Sequence, residues 1–150
     1  MIRTRRTLAV VVTLALGLSV AACGSGGDEP ESASSSGTPT RLDGTWELMN
    51  IATQGAATSL PDTVDAPTLE FTGGDVNVFT GCNSGSGTVK VQDSAIEFGP
   101  IALTNKACDE VSNQLETYVS RFLSGTVGYE LDQGNLVLDR ADSGLIFAKQ

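Results

Sequence analysis

The sequence predicts an α+β fold: a mainly antiparallel β-sheet, barrel-like or strongly curved, made of short strands, with one amphipathic helix packed on it. The first observation behind this prediction is a series of short segments with alternating apolar residues, separated by turns rich in glycine, asparagine and aspartate. The second is a single stretch whose apolar residues recur at helical spacing. Many short strands around one helix are typical of antiparallel α+β domains.

The first predicted strand carries the single tryptophan of the chain. It places Trp46 and Leu48 on one face and Met49 and Ile51 on the other, because successive side chains of a strand alternate. Residues 52–67 follow with one glycine, two prolines and several small residues, a composition that predicts a loop.

The remaining strands are predicted as neighbours joined by tight turns. The predicted strand segments are 68–71, 76–80, 87–91, 95–98, 127–131, 136–138 and 145–148. Glycine or aspartate marks each turn, and Gly73-Gly74 is the clearest hairpin signal. Gly85-Ser86-Gly87, in contrast, is predicted to be a glycine-rich turn.

One helix is predicted between Cys108 and Gly125. Its apolar stripe consists of Val111, Leu115, Tyr118, Val119, Phe122 and Leu123. Asp109 and Glu110 suit the first turn, where the helix dipole favours negative charge, and Gly125 is predicted as the C-terminal cap. Trp46, Phe71, Leu115, Val119 and Phe122 are predicted to share one core.

The first 22 residues have the parts of an export signal: a basic start, an apolar run and small residues before Cys23. This order resembles a bacterial lipobox, in which the Cys23 sulfur takes a diacylglyceryl group and the chain is cut before it. A transmembrane anchor is the alternative, but the run is shorter than the roughly 20 residues that a spanning helix needs. Arg5-Arg6 also fits twin-arginine export, although the residues that usually surround such a pair are missing.

Residues 23–41 are predicted to be the lipidated cysteine and a flexible tether, and residues 42–150 the folded domain. The stretch 24–40 has no large apolar residue and is rich in serine, glycine, glutamate and proline, so it cannot bury enough surface to fold. The lipid on Cys23 is expected to hold the protein at the extracytoplasmic face of the cell membrane. The protein is also expected to be a monomer.

The charge of the chain argues against nucleic acid as a partner. Three of its nine basic residues lie in the signal, so six scattered basic residues face 18 acidic ones in the mature protein. Phosphate binding needs clustered lysine and arginine, and a basic patch is equally necessary for electrostatic binding to membranes. The partner is expected to be an envelope protein or a small ligand of unknown identity, and no cofactor is expected.

Two cysteines remain after Cys23. Cys82 and Cys108 are predicted to form a disulfide, since paired cysteines in exported domains are usually bonded. Free buried thiols and a redox-active pair are the alternatives. A redox pair is usually close in sequence, as in C-x-x-C, and these two are not.

Six segments in order carry a resemblance to a known family. They are Leu42 with Gly44-Thr45-Trp46, then Gly81-Cys82-Asn83, Phe98-Gly99-Pro100-Ile101-Ala102 with Thr104, Ala107-Cys108, Gly134-Asn135-Leu136-Val137-Leu138, and Leu145-Ile146-Phe147. Together they resemble the META domain, also called the HslJ-like family. The resemblance implies a small β-rich domain with a packed helix, found in exported bacterial lipoproteins, one branch of which is named for a heat-inducible envelope protein.

The chain departs from the family pattern in two places. Lys106 stands where relatives usually have methionine, and Gly85-Ser86-Gly87 replaces a run that often contains an aromatic residue. The resemblance implies no established catalytic activity, so it supplies no catalytic residues.

The function that the sequence favours is a non-enzymatic, stress-related envelope module that binds a partner or ligand. The candidate binding residues are the small polar side chains around the two cysteines: Asn83, Ser84, Ser86, Thr104 and Asn105. An alternative for this segment is a purely structural turn, in which Gly81 and Asn83 adopt left-handed backbone.

Two other functions remain open: a thiol redox protein that uses Cys82 and Cys108, and an enzyme. The chain has no histidine, the commonest general base, and no G-x-S-x-G nucleophile elbow. It also has no regular run of oxygen ligands for calcium. Catalytic and metal-binding residues are therefore not predicted.

Overall fold

The computed structural model describes residues 40–150, which form ten strands and one helix. The strands are β1 (Gly44–Thr53), β2 (Ala56–Ser59), β3 (Thr68–Thr72), β4 (Asp75–Phe79), β5 (Ser84–Val91), β6 (Ala95–Phe98), β7 (Ala102–Leu103), β8 (Gly125–Asp132), β9 (Asn135–Arg140) and β10 (Ser143–Lys149); the helix α1 is Glu110–Ser120. The predicted signal peptide, Cys23 and the tether before residue 40 lie outside the described residues. Within residues 40–150, no helix has the length and apolarity needed to cross a membrane.

Eight of the strands close into an antiparallel barrel. The order around the barrel is β1, β3, β4, β5, β6, β8, β9 and β10, and the last of these pairs with β1 to close the ring. The two extra strands lie beside it: β2 pairs with the second half of β1, and β7 continues the line of β6 along β5. The structure thus confirms the predicted curved antiparallel sheet with one helix.

The interior of the barrel is filled by the alternating apolar residues of the strands. Buried strand residues include Trp46, Leu48, Leu69, Phe71, Val76, Val78, Ile96, Phe98, Val127, Leu136, Leu138, Leu145 and Phe147. The helix adds Leu115 and Val119, and the turn after it adds Phe122 and Leu123, all in the same cluster. The predicted shared core of Trp46, Phe71, Leu115, Val119 and Phe122 is confirmed.

The helix begins where the sequence predicted and ends earlier. Asp109 caps its N-terminus by accepting hydrogen bonds from the backbone N–H groups of Val111 and Ser112, both at 3.0 Å. The prediction of Gly125 as the C-terminal cap is wrong: Arg121 is the cap residue, and Gly125 (φ 62°) begins β8 after a short turn. Val111, predicted in the buried stripe, is 48% exposed.

The sequence had predicted a loop over residues 52–67, but part of this segment forms strands. Strand β1 continues to Thr53, Gln54 and Gly55 form a tight turn with φ values of 52° and 82°, and β2 returns along β1. Two consecutive positive φ angles are typical of a two-residue β-hairpin. The sequence hid this hairpin because all four residues of β2 are small and exposed, so no apolar alternation marks the strand.

An irregularity in the pairing of β1 with β10 explains why the two halves of β1 place their side chains in different surroundings. Trp46 and Leu48 point into the core, while Met49 is 38% exposed and Ile51 is partly buried beside the core. The pairing of β1 with β10 shifts between Leu48 and Asn50, which is a β-bulge that turns the second half of the strand.

The chain enters the barrel at the end opposite the helix. Arg41 donates to the hydroxyl of Tyr129 (Nε–Oη 2.6 Å) and to the carbonyl of Gln92 (3.3 Å) in the turn between β5 and β6. The helix instead contacts the turn between β4 and β5, at the other end of β5. Eight strand residues, or roughly 26 Å, therefore separate the entry point from the helical end.

Candidate functional site

The structure joins Cys82 and Cys108 in a disulfide, as the sequence predicted. Cys82 follows β4 and Cys108 precedes α1, and their Cα atoms are 6.1 Å apart. The bond therefore ties the start of the helix to the turn between β4 and β5. Cys82 is only 5% exposed, so a thiol or thiolate in solution has little access to its sulfur.

Asn83 is a structural residue of the same junction. It is 3% exposed, and its side-chain oxygen accepts hydrogen bonds from the Thr104 hydroxyl (2.8 Å) and the Lys106 N–H (2.7 Å). Its amide nitrogen donates to Glu116 (2.9 Å). The same nitrogen also lies 3.3 Å from the Cys82 sulfur, so the whole side-chain amide is engaged within the junction. A role of Asn83 in ligand binding stays a prediction.

Gly81 and Asn83 were both predicted to adopt left-handed backbone in this turn, and only Gly81 does so. Gly81 has a φ of 93°, as predicted for a left-handed position, and a Cβ there would lie 3.0 Å from the Leu115 side chain. Asn83 does not share this conformation, so that part of the prediction is wrong. Its hydrogen bonds, not a strained backbone, explain why an asparagine stands there.

Glu116 is the residue of this junction that the sequence analysis missed. One of its carboxylate oxygens, Oε2, accepts from the Thr80 hydroxyl (2.7 Å), the Asn83 N–H (3.1 Å) and the Asn83 amide. Thr80 is fully buried. Only its side of the helix follows from the sequence, since residue 116 lies three residues before Val119 on the side that packs against the barrel.

The environment of Glu116 shifts its pKa. Partial burial acts to raise the pKa of this carboxyl, but the hydrogen bonds from Thr80 and Asn83 outweigh it and hold the pKa below its ordinary value of 4.5. A carboxyl whose pKa is lower in the folded state stabilises the fold above its unfolded-state pKa. That contribution is lost as the pH falls through the folded-state value.

We therefore expect Glu116→Gln to lower the free energy of unfolding by about 1–2 kcal/mol at pH 7, because a neutral amide accepts these hydrogen bonds less strongly. The loss should shrink as the pH falls below 4.5 and through the lower pKa of the folded state, since the wild-type carboxyl itself becomes neutral below that pKa. Urea denaturation at pH 7 and pH 3 measures both effects. Glu130→Gln, at an exposed carboxylate of β8, is the control, and equal pH profiles for the two variants would contradict the role of Glu116.

Ser84, Ser86 and Thr104 lie together on the outer wall of the barrel. Strand pairing sets two rows across β1, β3, β4 and β5, and these rows are Thr45, Glu70, Asn77, Ser86 and Glu47, Thr68, Phe79, Ser84. The Thr104 N–H donates to the Ser84 carbonyl (2.8 Å) and extends the second row. We call these residues, with Ala102, the outer polar surface; all of them except Glu47 line a shallow groove of about 550 Å³.

The sequence had predicted a turn at Gly85-Ser86-Gly87, but these residues are part of strand β5. A Cβ on Gly85 would lie 2.2 Å from the Ala102 carbonyl oxygen, and one on Gly87 would lie 2.7 Å from that of Pro100. The two glycines therefore let the segment 100–103 lie directly against the backbone of β5. Ser86 between them points outward and is exposed.

Asn105 is exposed but does not line the outer polar surface. Of the five residues predicted from sequence, Ser84, Ser86 and Thr104 thus lie on one surface. Asn83 lies in the helix junction, and Asn105 lies outside the outer polar surface. The surface also includes four residues that were not predicted, because only the strand register shows that they share this face: Thr45, Thr68, Glu70 and Asn77.

Within residues 40–150, no three histidine, cysteine, aspartate or glutamate side chains are grouped so that they could hold a metal ion. The side chains of the outer polar surface offer hydroxyls, one amide, two carboxylates and one partly buried aromatic ring. Such groups can donate and accept hydrogen bonds and attract positive charge. They form a shallow contact surface of neutral polar and acidic groups on a small β-barrel whose interior is filled by side chains.

This barrel with its cysteine-tethered helix belongs to a recognised class. The sequence matches the META domain over residues 40–150, and the chain belongs to the META domain family. Among curated proteins, none matches the sequence.

Two NMR structures show the same architecture at low sequence identity. The chain is similar to an NMR structure of a protein from Burkholderia xenovorans, with 21% identity, a TM-score of 0.60, and coverage of 83% of this chain and 98% of that one. A second NMR structure has 19% identity, a TM-score of 0.58, and coverage of 72% and 90%. A crystal structure of a lipocalin-like protein from Bacteroides uniformis has 17% identity, a TM-score of 0.47, and coverage of 73% and 98%. Identities this low concern the fold alone.

Proposed function

We propose that this META-domain protein is an exported, lipid-anchored, non-enzymatic protein of the cell envelope that binds an envelope partner or small ligand on the outside of its barrel. The observation that carries the binding function is the outer polar surface, where Ser84, Ser86 and Thr104 meet Glu70 and Asn77. A barrel filled by its own side chains favours external binding over a ligand held inside.

The chemistry of the outer polar surface limits its partners. Glu47 and Glu70 are exposed on it, and no lysine or arginine lines the groove. Anionic ligands are therefore disfavoured, while neutral ligands rich in hydroxyl or amide groups, or cationic ones, fit. Phe79 is partly buried at the centre of one row and offers an apolar face to such a ligand.

The lipid anchor is inferred from the sequence that precedes the described domain. If Cys23 carries the lipid, Cys23→Ser should leave the signal uncleaved or release the protein from membranes, because the sulfur is the acceptor of the diacylglyceryl group. Membrane fractionation with N-terminal sequencing measures both outcomes, and Ser35→Ala in the predicted tether is the control. A Cys23→Ser protein that has lost its first 22 residues and still fractionates with membranes would contradict the proposal.

The binding function is tested by crosslinking the lipoprotein in native membranes and recovering what it binds. We expect Ser84→Arg and Ser86→Arg each to reduce recovery of a specific partner, because a long cationic side chain blocks the groove. Gln133→Arg, in the exposed turn between β8 and β9, adds the same charge elsewhere and should not reduce recovery. Equal recovery with all three variants would exclude the outer polar surface as the binding site.

A further inference from the structure

A second surface lies beside the helix, away from the outer polar surface. Strand β2 pairs with β1 on one side, and its other edge has no backbone hydrogen-bond partner within residues 40–150. In an antiparallel pair, alternate residues point their N–H and C=O groups away from the partner strand. The free edge of β2 therefore offers these groups to a further strand.

An apolar groove runs next to this edge. Its apolar lining comes from Ile51, Leu60, Val64, Val111, Leu115 and Tyr118, and Thr58 and Ser59 at the end of β2 form one wall. Val111 is the most exposed large hydrophobic residue of the domain, at 48%. The groove has a volume of about 350 Å³, near the lower end of the range of about 300–1,000 Å³ for small-molecule pockets, so it suits one or two side chains.

The rim of the groove is acidic. Asp62 and Asp65 each follow a lining residue in the loop after β2, and Glu110 precedes Val111 at the start of the helix; all three are exposed. No lysine or arginine is among the residues that line the groove. A ligand that places basic groups beside an apolar side chain therefore matches the rim in charge.

We propose that the free edge of β2 and the adjacent groove bind an extended peptide segment of a partner protein, with a branched apolar side chain in the groove and basic residues on its flanks. The peptide adds a strand to the β1–β2 hairpin. Main-chain hydrogen bonds to β2 supply affinity, and the groove selects the side chain that alternates inward. A free strand edge next to an apolar groove favours this occupant over an acyl chain, which has no groups to pair with backbone N–H and C=O.

The short length of β2 is also the usual way in which proteins protect an edge from unwanted pairing. Four residues suffice for a short docked peptide but not for open-ended strand addition. The groove adds the side-chain selection that an edge alone lacks.

The proposal is tested with the full chain in lipid nanodiscs and a blocked heptapeptide of sequence Lys-Thr-Val-Thr-Leu-Thr-Lys. We expect saturable binding, and Val111→Ser should weaken it about tenfold, which corresponds to about 1.4 kcal/mol, because the side chain in the groove loses its apolar contact. Leu131→Ser is the matched control, since Leu131 is 39% exposed on β8 and does not line the groove. A peptide with glutamate in place of both lysines should bind more weakly.

Hydrogen exchange distinguishes strand addition from simple apolar contact. On peptide binding, at least one amide among residues 56–59 should gain protection, because its N–H becomes paired. Absence of binding, equal loss in Val111→Ser and Leu131→Ser, or binding without protection of β2 would each overturn the proposal. It would also be overturned if a fatty acid bound in place of the peptide, or if the chain self-associated through Val111. None of these results bears on the Ser84 and Ser86 variants, so the two surfaces are tested separately.

Discussion

Replacing Phe122 with alanine should lower the free energy of unfolding by about 3–5 kcal/mol. Phe122 is 2% exposed and belongs to the core cluster, and its ring is tilted by 42° against that of Tyr118 with the ring centroids 5.8 Å apart. Removing the ring takes its apolar surface out of the core and leaves a cavity where the helix meets the barrel. Equilibrium denaturation in urea measures the loss.

The control for this prediction lies on the helix that precedes Phe122. Val111→Ala also removes apolar atoms, but Val111 is 48% exposed and is not part of the core cluster, so the cost should stay below about 1 kcal/mol. Similar denaturation midpoints for the two variants would mean that the segment after the helix does not contribute to the core.

Removing the disulfide should destabilise the domain by about 3–4 kcal/mol, because the bond closes a loop of 26 residues and restricts the unfolded chain. The double variant Cys82→Ala, Cys108→Ala should melt at a lower temperature and keep its secondary structure. The helix keeps other links to the same junction, since Glu116 still accepts hydrogen bonds from Thr80 and Asn83.

Circular dichroism measures the secondary structure and calorimetry measures the melting temperature. Wild-type protein treated with a reductant should have the same melting temperature as the double variant. The untreated protein should show no free thiol at Cys82 or Cys108 by mass spectrometry. Two free thiols in protein taken from an exporting host would contradict the prediction. A loss of helix in the double variant would show that the disulfide, and not Glu116, holds α1 in place.

The barrel strands and the core were predictable because their side chains alternate. Trp46, Phe71, Val76, Val78 and similar residues occur at period two, and turns with glycine or aspartate separate them. The helix was predictable for the same kind of reason, from its apolar spacing. Closure of the sheet into a barrel was only suggested by the short strands, because the pairing of β10 with β1 depends on residues about 95 positions apart and has no local signal.

The candidate site was predictable only in part. The proximity of the Ser84 and Thr104 segments follows once Cys82 and Cys108 are paired, and the structure contains that pair. Which side chains face outward depends on strand register, and the register places Ser86 on the outer polar surface. Asn83 precedes β5, and its hydrogen bonds to Thr104, Lys106 and Glu116 hold it in the helix junction. Glu116 was missed because a carboxylate near an apolar stripe has no sequence signature that distinguishes it from a solvated one.

The position of Arg41 at one end of β5 and of helix α1 at the other has a mechanical consequence. Tension between residue 40 and a partner held near the helix would act along β1, which is paired with β3 or β2 on one side and with β10 on the other. Such a load shears many backbone hydrogen bonds at once and does not unzip them one by one. The barrel should therefore resist being pulled from both ends better than its size suggests, with β1 as the strand that carries the force.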